Sequence, residues 1–294
     1  EPVQLVKCQT VDLEVPATSE VVFEGIIPTS YLEEEGPFGE SMGVIDPRTL
    51  SPVLELTCVT HRKDPVWVSI ISQVTPSESS KIKAMGMSTL IHRYLQNKGF
   101  TSVLEVSLTE LLVNLRPYVV LRMKKQNRQE PWEAMHAVLD YGDRVGKFVV
   151  TVDEDVNPAD PLAVIWAITH RSQPHKDTEI VGNRPFGATP IGMVVNHPTS
   201  DYDSEESSLL IDATRKADFP PLSLPKKEYM EQARAIWEEL GLPELTPQEP
   251  WHGYPMGVWP EELAEEADLA VAGEYGRLEE KLKGARVAAG EGDT

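Results

Sequence analysis

The hydrophobic pattern of the chain changes near residue 75, and this change limits the fold more than any other feature. Before it, β-branched and aromatic residues alternate with polar ones between proline and glycine breaks, which is typical of short antiparallel strands. A helix follows, capped by Ser77 or Ser79, running to about Gln96 and ended by Gly99. The predicted strands are Val3–Val6, Glu20–Gly25, Glu55–Thr60 and Val66–Ile71.

From Val103 onward, strand and helix patterns alternate, which predicts a layered α/β domain. The predicted strands are 103–106, 119–123 and 148–152, with a helix near 132–141. An amphipathic helix is expected from Lys226 to Leu240, followed by an arm carrying Trp251, Tyr254 and Trp259, and then a helix over 260–282. Aromatic side chains on such an arm indicate a protein partner.

Composition excludes several classes of function. The chain has 294 residues, 40% of them hydrophobic, and a net charge of −20, which opposes binding to nucleic acid and to anionic membrane surfaces. Cys8 and Cys58 lie far apart in sequence and without a histidine cluster, so neither a disulfide scaffold nor a zinc site is indicated. The sequence has no 18-residue apolar run and no signal-peptide pattern, and we expect a cytoplasmic protein.

The segment Glu35-Gly36-Pro37-Phe38-Gly39-Glu40 is the strongest functional signal. Glycine and proline restrict the backbone to a tight turn, so that Glu35 and Glu40 can converge on one site. Two close carboxylates push each other's pKa apart, which suits one acid and one base. The alternative is an ordinary surface turn in a very acidic protein.

Four motifs in order resemble the UbiD family of reversible decarboxylases. They are Glu1–Cys8 with Val11–Ala17 and Glu24-Gly25, the turn 35–40, Lys147–Asn157 with Val164–Thr169, and Ile211–Thr214. The resemblance covers roughly residues 1 to 240. It implies an α+β / α/β fold: an antiparallel split β-barrel that binds flavin, a layered α/β oligomerisation domain and a C-terminal helical arm.

The resemblance also implies the domain organisation. Residues 1–78 would form part of the split barrel, 79–100 a linker helix, 101–225 the α/β domain, and 226–294 the C-terminal helix and arm. Family members carry an additional N-terminal domain that supplies most of the cofactor site, the metal ligands and a catalytic arginine. We therefore expect the chain to be the C-terminal part of a split, cleaved or excised enzyme that is inactive without that portion.

The implied activity is the reversible, non-oxidative decarboxylation of an aromatic or α,β-unsaturated carboxylic acid with prenylated FMN. By the resemblance, Glu40 protonates the carbon that loses carbon dioxide, while Glu35 orients the substrate and tunes Glu40. Mn²⁺ and K⁺ are implied, with most of their ligands upstream, together with a homo-oligomer. The alternative is a non-catalytic assembly subunit or fragment of such an enzyme. The particular acid, the physiological direction and the size of the oligomer stay open.

Four further residues are weaker candidates. By the resemblance, Thr75 and Ser77 line the cofactor, although a helix cap explains Ser77 equally. Arg184 and Phe186 lie in a Gly/Pro-rich loop that covers the substrate in the family; Arg184 could pair with a carboxylate, and Phe186 could stack on an aromatic ring. An ordinary connection, with Arg184 beside one of the many acidic side chains, is the alternative.

The acidic run Asp153-Glu154-Asp155 follows a predicted strand. A metal site is one interpretation; the favoured one is that the run leads into a helix capped by Asn157 and Asp160. One position departs from the family, because Met135 stands where a phosphate-reaching Lys or Arg is usual. His136, Lys147 or the N-terminal portion could supply that charge instead.

Overall fold

The computed structural model describes most of the chain, with gaps, and the fold is given for that part alone. The described residues are 2–39, 45–46, 48–70, 76–108, 118–142, 145–184, 206–217, 225, 227–244 and 261–283. They form two regions, an N-terminal β region up to residue 70 and a layered α/β region that begins with the first helix. Within them, no helix is both long and apolar enough to cross a membrane.

The β region consists of antiparallel pairs, as the alternating sequence pattern predicts. The pairs are β1 with β2, β3 with β8, β4 with β7, and β5 with β6. The strands are β1 Leu5–Lys7, β2 Glu14–Pro16, β3 Val21–Ile26, β4 Glu33–Glu35, β5 Phe38–Gly39, β6 Ile45–Asp46, β7 Thr49–Ser51 and β8 Glu55–His61. These ladders do not join into a closed barrel within the described residues.

One predicted strand of this region is wrong. Residues 66–70 have no ladder partner, and the backbone N–H of Val66 instead donates to the carboxylate of Glu20 at 3.1 Å. Trp67 packs edge-on against Phe23, with ring centroids 6.0 Å apart. The β-branched pattern is genuine, but side-chain contacts, not a second strand, hold the segment in place.

The β region has almost no core of its own. Among residues 2–39, 45–46 and 48–70, only Glu24 is buried. Many large apolar side chains of the region are exposed, including Phe23, Trp67 and Val68. Apolar surface on this scale marks an interaction site.

Helix α1, Glu78–Asn97, has the predicted ends. Ser77 is its N-cap in a capping box with Ser80. At the other end Gly99 has φ +98°, its N–H donates to the carbonyl of Gln96, and Phe100 N–H donates to Leu95. This is a Schellman motif, which requires a left-handed residue and so favours glycine.

A five-stranded mixed sheet follows, in the order β12-β13-β11-β10-β9. Strands β10, β11 and β13 are parallel, and the edge strands β9 and β12 are antiparallel to their neighbours. The strands are β9 Val103–Leu108, β10 Tyr118–Met123, β11 Phe148–Asp153, β12 Thr178–Arg184 and β13 Glu206–Ala213. The helices are α2 Glu130–Asp140, α3 Pro161–Arg171 and the single turn α4 Pro174–Asp177.

Alternation along the central strands builds a core on each face of the sheet. Val119 and Leu121 point to the face covered by α1 and α2, where Ile91, Leu95 and Met135 are fully buried. The opposite face is the smaller core, where alternate residues of β10, β11 and β13 pack against Ala163, Val164 and Ala167 of α3. These two cores confirm the predicted layered arrangement.

The C-terminal segment forms three helices: α5 Lys227–Glu239, α6 Glu261–Val271 and α7 Tyr275–Leu282. The prediction of one helix over 260–282 is wrong. Gly273 has φ +74° and ends α6 with N–H bonds from Gly273 to Ala270 and from Glu274 to Leu269. The predicted aromatic arm with Trp251, Tyr254 and Trp259 lies outside the described residues.

Candidate functional site

The predicted catalytic turn joins two short ladders. Glu35 is the last residue of β4 and pairs with Thr49 of β7. Gly36 follows with φ +88°, a left-handed conformation that favours glycine, and the Gly36–Pro37 peptide bond is cis. Phe38 and Gly39 then form β5. The chain thus reverses direction directly after the carboxylate, as the Gly-Pro pattern predicts.

The carboxylate of Glu35 is exposed and has no hydrogen-bond or ion-pair partner among the described residues. Its neighbour Glu34, on the other face of the same strand, pairs with Arg48 at 3.1 Å. Glu35 is therefore available to a reactant or to a second acid, and Glu34 is not. Glu40 lies outside the described residues, so its approach to Glu35 stays a prediction.

The hydroxyl of Ser77 is already engaged in capping α1. It accepts from the Ser80 N–H at 3.3 Å and lies 3.2 Å from the Ser79 hydroxyl. The capping interpretation is confirmed, and a contact to the cofactor stays a prediction. Thr75 lies outside the described residues.

The guanidinium of Arg184 faces helix α2. Its Nη2 donates to the carbonyl of Leu139 at 3.1 Å, next to the C-terminal end of the helix, where a cation is favourable. Among the described residues, the partner is thus a backbone carbonyl and not an acidic side chain. Substrate contact by Arg184 stays a prediction, and Phe186 lies outside the described residues.

The acidic run at the end of β11 belongs to an ion-pair network. Arg171 donates to Asp153 at 2.9 Å and to both oxygens of Asp155 at 2.8 and 2.7 Å. Arg215 lies 3.6 Å from Asp153 and 3.9 Å from Glu154. No group of three His, Cys, Asp or Glu side chains within the described part of the chain is placed to hold a metal. The predicted helix cap is confirmed for Asp160, which accepts from the N–H of Leu162 at 2.9 Å. Asn157 accepts from the N–H of Ala159 at 2.9 Å in the loop before α3, so its predicted role as a helix cap is wrong.

Sequence reasoning missed the extent of this network. The ammonium group of Lys125 donates to the hydroxyl of Thr214 at 2.5 Å, and Lys216 lies 3.2 Å from Asp212. The network thereby links the carboxyl ends of β10, β11 and β13. Burial raises the pKa of Asp153. The sequence signal for this network was the presence of basic residues just after two buried strands, Lys125 after β10 and Lys216 after β13.

Both basic residues near Met135 have acidic partners. Lys147 pairs with the buried carboxylate of Glu206, and His136 lies 3.1 Å from Glu179. Met135 itself is fully buried in the core under α1 and α2. Neither basic side chain is left without an acidic partner to bind a phosphate in the positions described.

The buried residue Glu24, which belongs to the first family motif, organises the start of the β region. Its carboxylate accepts from the N–H groups of Gln9 and Thr10 at 2.9 and 2.7 Å, and from the Thr10 hydroxyl at 2.9 Å. The hydrogen bond from Gln9 N–H is the main cause of a lowered pKa for Glu24, followed by those from Thr10. Glu24 therefore fixes the loop after β1 to strand β3.

An open cavity of about 540 Å³ lies at the β9 edge of the sheet. Lys81, Met85 and Ser88 of α1 and Glu105 and Ser107 of β9 contribute to its lining. It shares no lining residue with the turn after β4, so the cavity and the predicted catalytic carboxylate belong to different places.

Two family models match consecutive parts of the chain. The model of the 3-octaprenyl-4-hydroxybenzoate carboxy-lyase Rift-related domain, UbiD, matches residues 1–74. The model of the 3-octaprenyl-4-hydroxybenzoate carboxy-lyase C-terminal domain matches residues 82–213. Together they span most of the chain and both regions of the structure.

Similar proteins agree with this match. An uncharacterized protein of Synechocystis sp. is 32% identical in an alignment of 265 residues that covers 83% of this chain and 48% of that protein. The UbiD-class enzyme HmfF from Pelotomaculum thermopropionicum, in complex with FMN, has a TM-score of 0.61 at 31% identity, over 80% of this chain and 51% of HmfF. An evolved dimeric form of HmfF, solved with prFMN, has a TM-score of 0.60 at 30% identity. The match covers 80% of this chain and 49% of that one.

A third similar protein is the vanillic acid decarboxylase of Sedimentibacter hydroxybenzoicus in closed form. It has a TM-score of 0.62 at 26% identity, over 80% of this chain and 49% of that one. The chain thus spans about half the length of the relatives that it matches.

Proposed function

The chain belongs to the UbiD family of carboxy-lyases, and from this premise we propose that it is part of an enzyme that reversibly decarboxylates an aromatic or α,β-unsaturated carboxylic acid with prenylated FMN. The observation that carries the proposal is the exposed carboxylate of Glu35 beside a left-handed glycine, without an ion-pair partner among the described residues. HmfF supports the choice of cofactor, because it has been solved with FMN and with prFMN.

Proton transfer is the part that this chain's residues would perform. The bond between the substrate carbon and its carboxylate breaks, carbon dioxide leaves, and Glu40 delivers the proton that forms the new C–H bond. Glu35 orients the substrate and tunes Glu40 from the other side of the turn. Prenylated FMN, when bound, supplies the electron-accepting group that makes loss of carbon dioxide possible.

The described residues fit the acid–base end of such a site better than its phosphate end. Three of the four lysine and arginine side chains in the described β region have acidic partners: Lys7 with Asp12, Arg48 with Glu34, and Arg62 with Glu20. We assign phosphate binding, and any Mn²⁺ or K⁺ ligands, to residues outside the described ranges and to the remaining part of the enzyme. Contacts from Thr75 and Ser77 to the cofactor, and from Arg184 and Phe186 to the substrate, belong to the same proposal.

An N-terminal portion of the enzyme is the proposed partner of the β region. One reason is that the ladders of the β region bury only Glu24 among their described residues. The other is that the relatives are about twice as long as this chain. Covering the exposed apolar side chains would complete the split barrel. The proposed domains are 1–78 for the barrel part, 79–100 for the linker helix, 101–225 for the α/β domain and 226–294 for the C-terminal segment.

A second candidate is a non-catalytic assembly subunit that keeps the fold. The observation in its favour is that the α/β region has a core on each face of its sheet, while the described part of the β region buries only Glu24. Such a subunit would need neither Glu35 nor Glu40.

Glutamate variants of the full assembly separate the two candidates. We expect Glu40→Gln to abolish exchange of ¹³C-labelled bicarbonate into a panel of aromatic and unsaturated acids, while the flavin still binds. Glu35→Gln should lower the exchange rate by about a hundredfold, the lower range for loss of a general acid–base contribution. Glu34→Gln is the matched control and should keep the parental rate, because Glu34 pairs with Arg48 on the other face of β4. Parental exchange by Glu40→Gln would refute the assignment.

A further inference from the structure

The fold brings the two cysteines of the chain to one place in the β region, although fifty residues separate them in sequence. Cys58 lies on β8 directly opposite Glu24 of β3. Residues directly opposite each other on antiparallel strands share one face of the sheet, with their Cβ atoms about 5 Å apart. The thiol of Cys58 therefore lies beside the side chain of Glu24.

Cys8 reaches the same side chain from the loop after β1. The backbone N–H of Gln9, which follows Cys8 directly, donates to both carboxylate oxygens of Glu24 at 2.9 Å. One residue further, the hydroxyl of Thr10 lies 2.6 Å from the hydroxyl of Thr57 on β8. The loop is thus held against β8 next to the cysteine of that strand.

The electrostatic environment agrees with this placement. Burial, then the charge of Glu24 and then the charge of Cys58 raise the pKa of the Cys8 thiol. Charges near the surface are largely screened beyond about 10 Å, so Cys58 influences Cys8 only from a short distance. Both thiols are free and half-buried, which leaves them accessible to a small reagent.

Thiol chemistry explains this pair better than metal binding does. Within the described part of the chain, no three His, Cys, Asp or Glu side chains are placed to hold a metal. Two neighbouring thiols can instead join as a disulfide. Such a bond suits this region, because its described residues bury only Glu24 and disulfides commonly stabilise structures without a large core.

We propose that Cys8 and Cys58 form a reversible disulfide by exchange with oxidised glutathione, a low-molecular-weight disulfide. The thiolate of one cysteine attacks a sulfur of oxidised glutathione, a mixed disulfide forms, and one glutathione thiolate leaves. The second cysteine loses its proton and attacks the protein sulfur of the mixed disulfide, which releases the second glutathione. Two protein thiols are oxidised, and one glutathione disulfide is reduced to two thiols. The inference does not depend on the decarboxylase activity.

The disulfide would connect the β1–β2 hairpin covalently to the β3–β8 pair. It closes a ring that runs from residue 8 to residue 58, and a ring of this length restricts the unfolded chain strongly. We therefore expect oxidation to raise the protection factors of amides in β3 and β8 at least about tenfold. Hydrogen exchange of the oxidised and the reduced protein measures the difference.

Peptide mapping of the full assembly tests the pairing. After equilibration at several ratios of oxidised to reduced glutathione, free thiols are alkylated and the protein is digested with trypsin for mass spectrometry. Trypsin cleaves at Arg48, between the two cysteines, so the disulfide appears as two joined peptides. We expect this joined pair, within one chain, at the more oxidising ratios. Free thiols, glutathione adducts on both cysteines, or links between two chains at every ratio would overturn the proposal.

A cysteine shifted by one position is the matched control. Cys58→Ser combined with Val59→Cys moves the thiol to the other face of β8. Val59 is 48% exposed, so the moved thiol stays accessible. We expect this variant to take up glutathione at both cysteines and to gain no protection in β3 on oxidation, with circular dichroism showing that it folds. A link from Cys8 to the moved cysteine in equal yield would also overturn the proposal.

Discussion

Glu24 and Glu35 show how two glutamates of one β region differ in environment. Glu24 is buried and accepts hydrogen bonds from Gln9 and Thr10, whereas Glu35 is exposed beside a turn. The first is suited to holding the fold and the second to meeting a reactant. Composition alone could not separate them, since the sequence contains 47 acidic residues.

The lowered pKa of Glu24 predicts acid sensitivity of the β region. A carboxylate whose pKa is lower in the folded state stabilises it above the unfolded pKa, and that contribution is lost as pH falls through the folded value. The protection factors of the amides in β3 and β8, which correct for the pH dependence of intrinsic exchange, should therefore fall on acidification below about pH 4. Glu24→Gln should flatten this dependence, and Glu14→Gln, at an exposed position, should leave it unchanged. The same pH profile in Glu24→Gln as in the parent would assign the effect to other groups.

Gly25 is required by close contact between strands. A Cβ atom there would lie 2.2 Å from the carbonyl oxygen of Glu55, a backbone atom that cannot rotate away. We expect Gly25→Ala to destabilise the β region by about 2 kcal/mol or more, within the usual range for overpacking. Denaturant titration followed by hydrogen exchange in β3 measures the loss.

Gly86→Ala gives the matched control for that substitution. Gly86 lies inside α1 with no atom within 4 Å of the added Cβ. The change should stabilise α1 by about 0.5–1 kcal/mol, because alanine has the higher helix propensity. Equal effects of the two substitutions would contradict the packing argument.

At the scale of elements, Arg171 joins the end of β11 to the end of α3. Its guanidinium compensates the buried charge of Asp153 and Asp155. Burial acts to raise the pKa of Asp155, but the hydrogen bonds and charge of Arg171 outweigh it and lower that pKa. We expect Arg171→Met to cost about 3 kcal/mol in unfolding free energy, because the buried carboxylate of Asp153 keeps only Arg215 and the half-buried carboxylate of Asp155 loses its guanidinium partner.

The loss should depend on pH. Without Arg171 the buried carboxylates have raised pKa values in the folded state, so the destabilisation grows as pH rises above the unfolded value of about 4. Urea titrations at about pH 5 and pH 8 measure the difference. Arg234→Met is the control, since Arg234 forms an exposed pair with Glu238 at 3.1 Å and should contribute less than about 1 kcal/mol. Equal costs for the two variants would show that the buried network is not stabilising.

Local sequence signals predicted most helices and strands correctly. The predictions failed where contacts between residues distant in sequence determine the structure. Ser77 and Gly99 ended α1 as expected, because capping and left-handed glycine are properties of a few neighbouring residues. The predicted strand over 66–70 is absent, because a strand needs a pairing partner that is distant in sequence. A local sequence pattern does not specify such a partner. Gly273 was an available signal for the break between α6 and α7.

The candidate site could be predicted only in part for a related reason. The turn after Glu35 follows from Gly36 and Pro37, which act locally. The contact of Arg184 with the end of α2 depends on how a strand and a helix meet in space, and sequence spacing does not report it. The Lys125 and Lys216 contacts likewise arise only when three strand ends come together.

In the molecule as a whole, the two regions differ in whether they have a hydrophobic core of their own. The α/β region has a core on each face of its sheet, while the described β region buries only Glu24. A surface with that much exposed apolar area is stable in water only when something covers it. The chain spans about half the length of its relatives, and the proposed function assigns this cover to the remaining half.

The central claim is that this chain works as part of a larger flavin-dependent decarboxylase. Native mass spectrometry of the protein isolated from cells that make prenylated FMN tests it most directly. We predict a particle containing additional polypeptide, either as a co-purifying chain or in the same one, together with the mass of a prenylated flavin. A 294-residue chain that appears without further polypeptide and without flavin would contradict the claim.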